Sequence, residues 1–176
     1  DVLPAARALE AFVDDLSNWY VRRGRRRYWR AGSDQDKVAA YQTLYEVLLT
    51  LARLLAPFTP FTTEEIYQNL ARAGIEGKAA GPESVHHCLY PTADPASADE
   101  ALLRKMEVVR EYVGLARAAR NRVGIRTRQP LPKAVLVGPP GDSAKVAGLT
   151  DLLSDEVNVK EVATGDDLGL YATYTI

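Results

Sequence analysis

Residues 54–74, "LLAPFTPFTTEEIYQNLARAG", decide how the rest of the chain is read. Pro57 and Pro60 cannot continue a helix, because each lacks an N–H and its ring collides with the preceding turn. Thr62 followed three residues later by Glu65 has the pattern of a capping box, in which the two side chains satisfy free N–H groups at a helix start. One helix is therefore predicted to end at about Leu55 and another to run from about Thr62 to Ala73, stopping at Gly74.

Upstream, Asp34 or Ser33 after Gly32 can cap the helix that ends at Leu55. Val38, Tyr41, Leu44, Tyr45, Leu48, Leu49, Ala52 and Leu55 cover a broad face of it, which predicts an interior helix packed on more than one side. Before it, a long helix is predicted from Pro4 to Trp29, with Leu9, Phe12, Val13, Leu16, Trp19 and Tyr20 on one stripe at helical spacing.

Downstream, Gly74 to Ser84 is loop by composition and "SVHHCLYP" a short extended piece ended by Pro91. Ser97 with Glu100 repeats the capping-box pattern and opens a fourth helix to about Val123, its apolar stripe formed by Leu102, Met106, Val109, Val113 and Ala116. After "RTRQPLP" the texture changes. "KAVLV" reads as a strand, "GPPGD" as a turn, Ser143 to Leu153 as a helix, and "VNVKEVA" and "LGLYATYTI" as two further strands. The predicted fold class is mainly α, an antiparallel helical bundle over residues 1–132 followed by a small α+β unit over residues 133–176.

With 176 residues, 47% of them hydrophobic and 26% charged, the chain can bury a core. It has no run of about 18 apolar residues to span a membrane and no signal-peptide pattern, so a cytoplasmic setting and no membrane partner are expected. A single Cys88 beside His86 and His87 offers too few soft ligands for a structural zinc site, so no metal is expected. The start at Asp1 and the end inside "LYATYTI", which reads as a strand in mid-course, suggest a piece of something longer.

Charge is concentrated. Six arginines and no acid lie between Leu16 and Ser33, and five arginines, Lys133 and no acid between Tyr112 and Gly141. These segments hold 12 of the 22 Lys and Arg residues, so a net charge of -1 conceals two basic patches. Arg22, Arg23, Arg25, Arg26 and Arg27 have no Asp or Glu three or four residues away, nor do Arg117, Arg120 and Arg122; only Arg30 has one, Asp34. At about 100° per residue, Arg23 and Arg27 continue the buried stripe of the first helix and Arg120 that of the fourth, which gives these three a structural or an RNA-binding role. Arg22, Arg25, Arg26 and Trp29 fall on the other side. A guanidinium grips phosphate with a planar fork and stacks on rings, and exposed Tyr28 and Trp29 offer faces for unstacked bases. The same composition also suits a solvated face or a protein-docking patch.

Nothing marks a catalytic residue. The glycines at Gly138 and Gly141 flank a Pro-Pro turn with no Gly-Lys-Ser/Thr after it, and Glu64 and Glu65 are explained by a helix start.

"DDLSNWYVRRGRRRYW", "LLAPFTPFTTEEIYQNL", "ESVHHCLYP" and "RVGIRTRQPLPKAVLV", in this order, closely resemble the C-terminal region of the isoleucyl-tRNA synthetases, a class Ia group. The resemblance covers Ala8 to Leu136 well and Ser154 to Ile176 more loosely. It implies that residues 1–132 are the anticodon-binding bundle and that the tail begins a C-terminal junction domain. The parent would join isoleucine to tRNA through an adenylate made from ATP with Mg; its His-Ile-Gly-His and Lys-Met-Ser-Lys-Ser signatures and its editing domain are not in this sequence. The piece would then bind tRNA, pack with the parent's catalytic domain, and hold no cofactor. Arg22, Arg25, Arg26, Tyr28, Trp29, Arg30, Arg117, Arg122, Arg126 and Arg128 are the expected RNA-binding residues. A valyl-type parent, or a module whose basic patches dock on the catalytic domain, are the alternatives. Tyr67 and Tyr90 stand where the family often has Trp, and Gly24 where it often has Ser.

Overall fold

The computed structural model describes residues 1–29, 31–32, 34–72, 81–139 and 141–165. The chain is mainly helical, with one small parallel sheet, and divides into two compact units, Asp1–Ala93 and Asp94–Ile176. The change of sequence texture at Pro132 thus lies inside the second unit.

The first unit opens with one long helix in three parts: α1 (Val2–Asp15), a π-helical segment (Leu16–Val21) and α2 (Arg22–Trp29). Asp1 caps it, its carboxylate accepting from the Leu3 amide at 3.2 Å. Helix α3 (Gln35–Leu55) is capped by Asp34, which accepts from the Lys37 amide at 2.8 Å. Only Ala40, Leu51 and Ala52 of α3 are buried, while Val38, Tyr41 and Tyr45 are exposed. The expected two-sided burial therefore holds only near the C-terminal end, where α4 (Pro60–Tyr67) folds back. Farther up, Ala8, Leu9 and Phe12 of α1 and Val47, Leu51 and Leu54 of α3 line an open apolar groove of about 420 Å³.

The turn between α3 and α4 differs from the capping-box reading. Helix α4 starts at Pro60, whose missing N–H costs nothing in the first turn, and the N-cap residue Thr59 makes no side-chain capping hydrogen bond. Thr62 and Glu65 therefore lie inside the helix. The Thr63 hydroxyl donates back to the carbonyls of Thr59 (2.9 Å) and Pro60 (3.1 Å). Glu64 reaches forward: it accepts from the Gln68 carboxamide (2.6 Å), the Ser84 hydroxyl (2.8 Å) and the Val85 amide (2.9 Å). Those bonds, Gln68 first, hold its carboxyl below the usual carboxylate range. They also dock the Ser84–Cys88 stretch, which is a 3-10 turn over Val85–His87 rather than the extended piece expected. Ala52, Ala56, Tyr67, Ala71 and Val85 form the core here, and the Tyr67 hydroxyl donates to the Pro82 carbonyl at 2.9 Å. The segment Gln68–Arg72 continues the helix in π geometry, and the expected end near Gly74 lies outside the described residues.

In the second unit, Pro95–Ser97 form a 3-10 turn, so Ser97 does not open the next helix. Asp99 caps α5 (Glu100–Arg122), its carboxylate accepting from the Leu102 amide at 2.9 Å. Strand β1 (Leu131–Val137) pairs in parallel with β2 (Val159–Gly165), from Leu131 opposite Val159 to Val137 opposite Gly165. A parallel pair needs a crossover, which α6 (Asp142–Val146) and α7 (Thr150–Val157) supply. The single helix expected from Ser143 to Leu153 is split because Gly148 takes φ +80°. Val109, Tyr112 and Val113 of α5 are buried, as are Val146, Leu153 and Val157. The Tyr112 hydroxyl reaches Asp142 Oδ2 at 3.4 Å and fills the space where a Cβ at Gly138 would stand. The third strand expected in "LGLYATYTI" lies outside the described residues. Among the described residues, no helix is long and apolar enough to cross a membrane.

Candidate nucleic-acid interface

The π-helical segment Leu16–Val21 decides which arginines face outward. A π turn takes one more residue than an α turn. In a regular helix Tyr28, twelve residues beyond Leu16, would lie about 120° from it, and Arg23 and Arg27 within about 20°. With one residue absorbed, Tyr28 returns to within about 20° of Leu16, and Arg23 and Arg27 move off by about 120° and 80°. The burial follows the second count: Leu16 and Tyr28 are buried, Arg27 is half-buried and Arg23 is exposed.

Two sequence-based expectations are thereby corrected. Arg23 does not extend the buried stripe; its guanidinium lies over the Trp19 ring, 5.3 Å from the centroid. Tyr28 is not an exposed stacking face. Its ring meets Tyr41 edge-on at 5.2 Å, and it lies against Gly24, where an added Cβ would come within 2.7 Å of the ring. The Tyr28 hydroxyl has no hydrogen bond of normal geometry among the described residues. Burial, and then the neighbouring Tyr20, push its pKa up to about 12.

Arg27 is a structural link. It donates from Nε to Asp36 Oδ2 (3.0 Å) and from Nη2 to Oδ1 (2.7 Å) and to the Asp36 carbonyl (3.2 Å), tying the end of α2 to the first turn of α3. The Asp36 hydrogen bonds raise its pKa further. The acid lies nine residues along, beyond the reach of any within-helix pairing rule.

Arg22, Arg25, Arg26 and Trp29 remain exposed on α2. Arg22 Nε donates to the Asn18 carbonyl at 2.7 Å, which holds the stem along the helix. The Arg25 guanidinium stacks 4.8 Å from the centroid of Trp29, a ring that is 75% exposed. Such a pair presents a flat cationic and aromatic face already ordered in the free protein. Arg26 has no partner among the described residues. Arg30 lies outside the described residues.

The second patch sorts in a similar way. Arg117 donates from Nη2 to Glu156 Oε2 at 2.6 Å, and the carboxylate is only 6% exposed. Arg117, expected among the RNA contacts, is thus also engaged in an internal ion pair, with an acid 39 residues away on α7. Arg120 is buried where the α5 stripe places it, and its fork donates to the carbonyls of Arg126 (3.2 Å), Gln129 (3.0 Å) and Asn158 (2.9 Å). Three carbonyls and the negative end of α5 stabilise its charge. Arg122, Arg126 and Arg128 are exposed, and their guanidinium groups have no partner among the described residues.

Residue-level reading of the sequence missed Asn158. It takes φ 53°, and its carboxamide donates to the Thr127 carbonyl at 2.9 Å. An Asn after a helix and before a strand is the available signal, since Asn is the non-glycine residue that best tolerates the left-handed region. Glu156 and Asp36 carry no such local mark. Among the described residues, no group of three His, Cys, Asp or Glu converges to hold a metal ion.

Residues 3–135 match the family model described as the anticodon-binding domain of tRNA ligase. The chain is 44% identical over 175 residues to an isoleucine–tRNA ligase of Clostridium acetobutylicum, an alignment that covers 99% of this chain and 16% of the relative. An isoleucine–tRNA ligase of Thermus thermophilus is 47% identical over 164 residues, covering 92% of this chain and 15% of the relative, and one of Dehalococcoides mccartyi is 43% identical over 164 residues, covering 93% and 16%. The chain thus spans about one sixth of the length of the relatives it matches. With the family match running through both the α2 and the α5 arginines, the chain belongs to the anticodon-binding domain family of tRNA ligases.

Proposed function

We propose that this chain is the tRNA-binding part of an isoleucine–tRNA ligase, holding the anticodon stem-loop of the tRNA while the parent's other segments use ATP with Mg to activate and transfer isoleucine in the cytoplasm. The observation that carries the reading is the ordered basic face of α2, where Arg22, Arg25 and Arg26 stand exposed beside Trp29 on a fold of the anticodon-binding family. Phosphate neutralisation supplies most of the affinity of such a surface, and base stacking on Trp29 adds contact without demanding a particular sequence. Identity of 41–47% to isoleucine–tRNA ligases along nearly the whole chain supports the amino acid assignment over valine. The parent's catalytic domain is the second partner.

The test is a salt titration of isoleucine tRNA binding to this chain and to the full-length ligase. Each phosphate contact contributes about 0.7–0.9 to the slope of log affinity against log salt, so Arg22→Glu with Arg26→Glu lowers the slope by about 1.4–1.8. An unchanged slope removes α2 from the interface. Charging of isoleucine tRNA but not valine tRNA by the full-length protein checks the amino acid assignment.

A further inference from the structure

The exposed arginines of the second unit sit on a loop that the fold holds from beneath. Between the end of α5 and the start of β1, residues 123–130 carry Arg126 and Arg128, with Arg122 at the helix end. Arg120 gathers the carbonyls of Arg126, Gln129 and Asn158 on one buried guanidinium, and Asn158 gathers the Thr127 carbonyl on its carboxamide. The backbone closes on itself as well: Ile125 donates to the Arg120 carbonyl (2.9 Å), Gln129 to that of Arg126 (2.9 Å) and Leu131 to that of Asn158 (3.1 Å). The carbonyls of Arg126, Thr127, Gln129 and Asn158 are thus held by the side chains of Arg120 and Asn158, and the side chains of Arg126 and Arg128 are left exposed.

We infer that Arg120 and Asn158 are positioning residues that hold loop 123–130 in the one conformation in which Arg122, Arg126 and Arg128 grip the phosphate backbone of the bound RNA; this rests on the tRNA-binding reading given above. Arg120 is the residue suited to this. Its planar fork spans three carbonyls at once, whereas an ammonium would hold them as a point charge without fixing their spacing. Asn158 adds the anchor at the middle of the loop and, in its left-handed conformation, turns α7 into β2 so that its own carbonyl faces Arg120. Neither residue touches RNA in this scheme. They act on the fraction of molecules whose loop is already shaped to bind.

That distinction sets the experiment. A positioning variant lowers affinity because the competent loop is less populated, yet leaves the number of phosphate contacts unchanged. A contact variant lowers the salt slope. Asn158→Gly keeps the left-handed backbone and removes only the carboxamide; Arg120→Lys keeps the charge and removes the fork. Isoleucine tRNA binding to the full chain is measured across salt, with circular dichroism reporting the fold and hydrogen exchange reporting the Gln129 amide. If the competent loop falls to about one molecule in ten, Kd rises about tenfold at every salt concentration, the slope stays that of the wild type, and Gln129 exchanges faster. Wild-type Kd in folded Asn158→Gly overturns the inference, as does a reduced slope, which would make Asn158 a contact. A third protein, Arg122→Gln with Arg126→Gln and Arg128→Gln, isolates the underlying reading: its slope falls by about 2 if the loop grips phosphate. An unchanged slope there removes the loop from the interface and overturns the inference by a separate route.

Discussion

Arg117→Gln separates an internal ion pair from an RNA contact. The Glu156 carboxylate that Arg117 holds at 2.6 Å is 6% exposed, and the Arg117 side chain 38%. A fully exposed pair contributes about 0–1 kcal/mol, whereas breaking a buried pair costs about 3–5 kcal/mol because a charge is left stranded. One buried and one half-exposed partner place the cost between these, at about 2 kcal/mol. For a protein of this size that lowers Tm by about 4–8 °C. Thermal and urea unfolding followed by circular dichroism measure it. Adding Glu156→Gln in the same chain removes the stranded charge and recovers part of the loss, as a hydrogen-bonded amide pair replaces the ions. The salt slope of tRNA binding stays at its wild-type value in both. Unfolding like the wild type, together with a slope lowered by about 0.8, would return Arg117 to the interface and refute the ion-pair assignment.

Arg27→Gln loosens the α2–α3 corner by about 1 kcal/mol, a figure kept low because both partners are more than a third exposed, and urea midpoints report it. Tyr28→Phe folds at least as stably as the wild type, since it removes a buried hydroxyl without a good hydrogen bond, whereas Tyr28→Ala costs about 3–5 kcal/mol; chemical denaturation distinguishes them. Glu64 carries a lowered pKa, so its contribution is complete above the ordinary Glu range and is lost as pH falls through the lowered value. The Val85 amide is therefore less protected, relative to its intrinsic exchange rate, below about pH 4 than above it, and Glu64→Gln abolishes that dependence of the protection factor. Gly138→Ala destabilises by about 1–3 kcal/mol because the methyl meets the Tyr112 hydroxyl, and Tyr112→Phe with Gly138→Ala is milder than Gly138→Ala alone in thermal unfolding.

The helices were legible because their signals are local. Pro57 and Pro60 end one helix and Asp34 caps another within a few residues of where the apolar spacing starts and stops. Helix starts were misplaced where two signals competed: Pro60 at a first helical position outweighed the Thr62 capping pattern, and Asp99 stood closer to the apolar stripe than Ser97. The arginine clusters were equally visible as composition, but their division into pairs and exposed groups was not. Asp36 and Glu156 answer Arg27 and Arg117 from other helices, which no offset along the chain reveals. Arg120 was legible as a stripe residue because α5 runs unbroken to Arg122, whereas projection of the first helix failed at the π turn.

That π turn makes the outward face of α2 a matter of counting rather than chemistry. Removing one residue from Leu16–Val21 restores a regular helix with Tyr28 still on the core side, whereas adding one, without a second wide turn to absorb it, would swing "RRGRRRYW" by about 100°. Arg27 would rotate onto the core side and Tyr28 into solvent, with every charge of the cluster still in place. A single-codon insertion outside the arginine cluster would thus rewrite the electrostatic face of α2, while pI, composition and helix content scarcely moved. The number of residues in the first helix thus sets its outward face as firmly as the arginines on it.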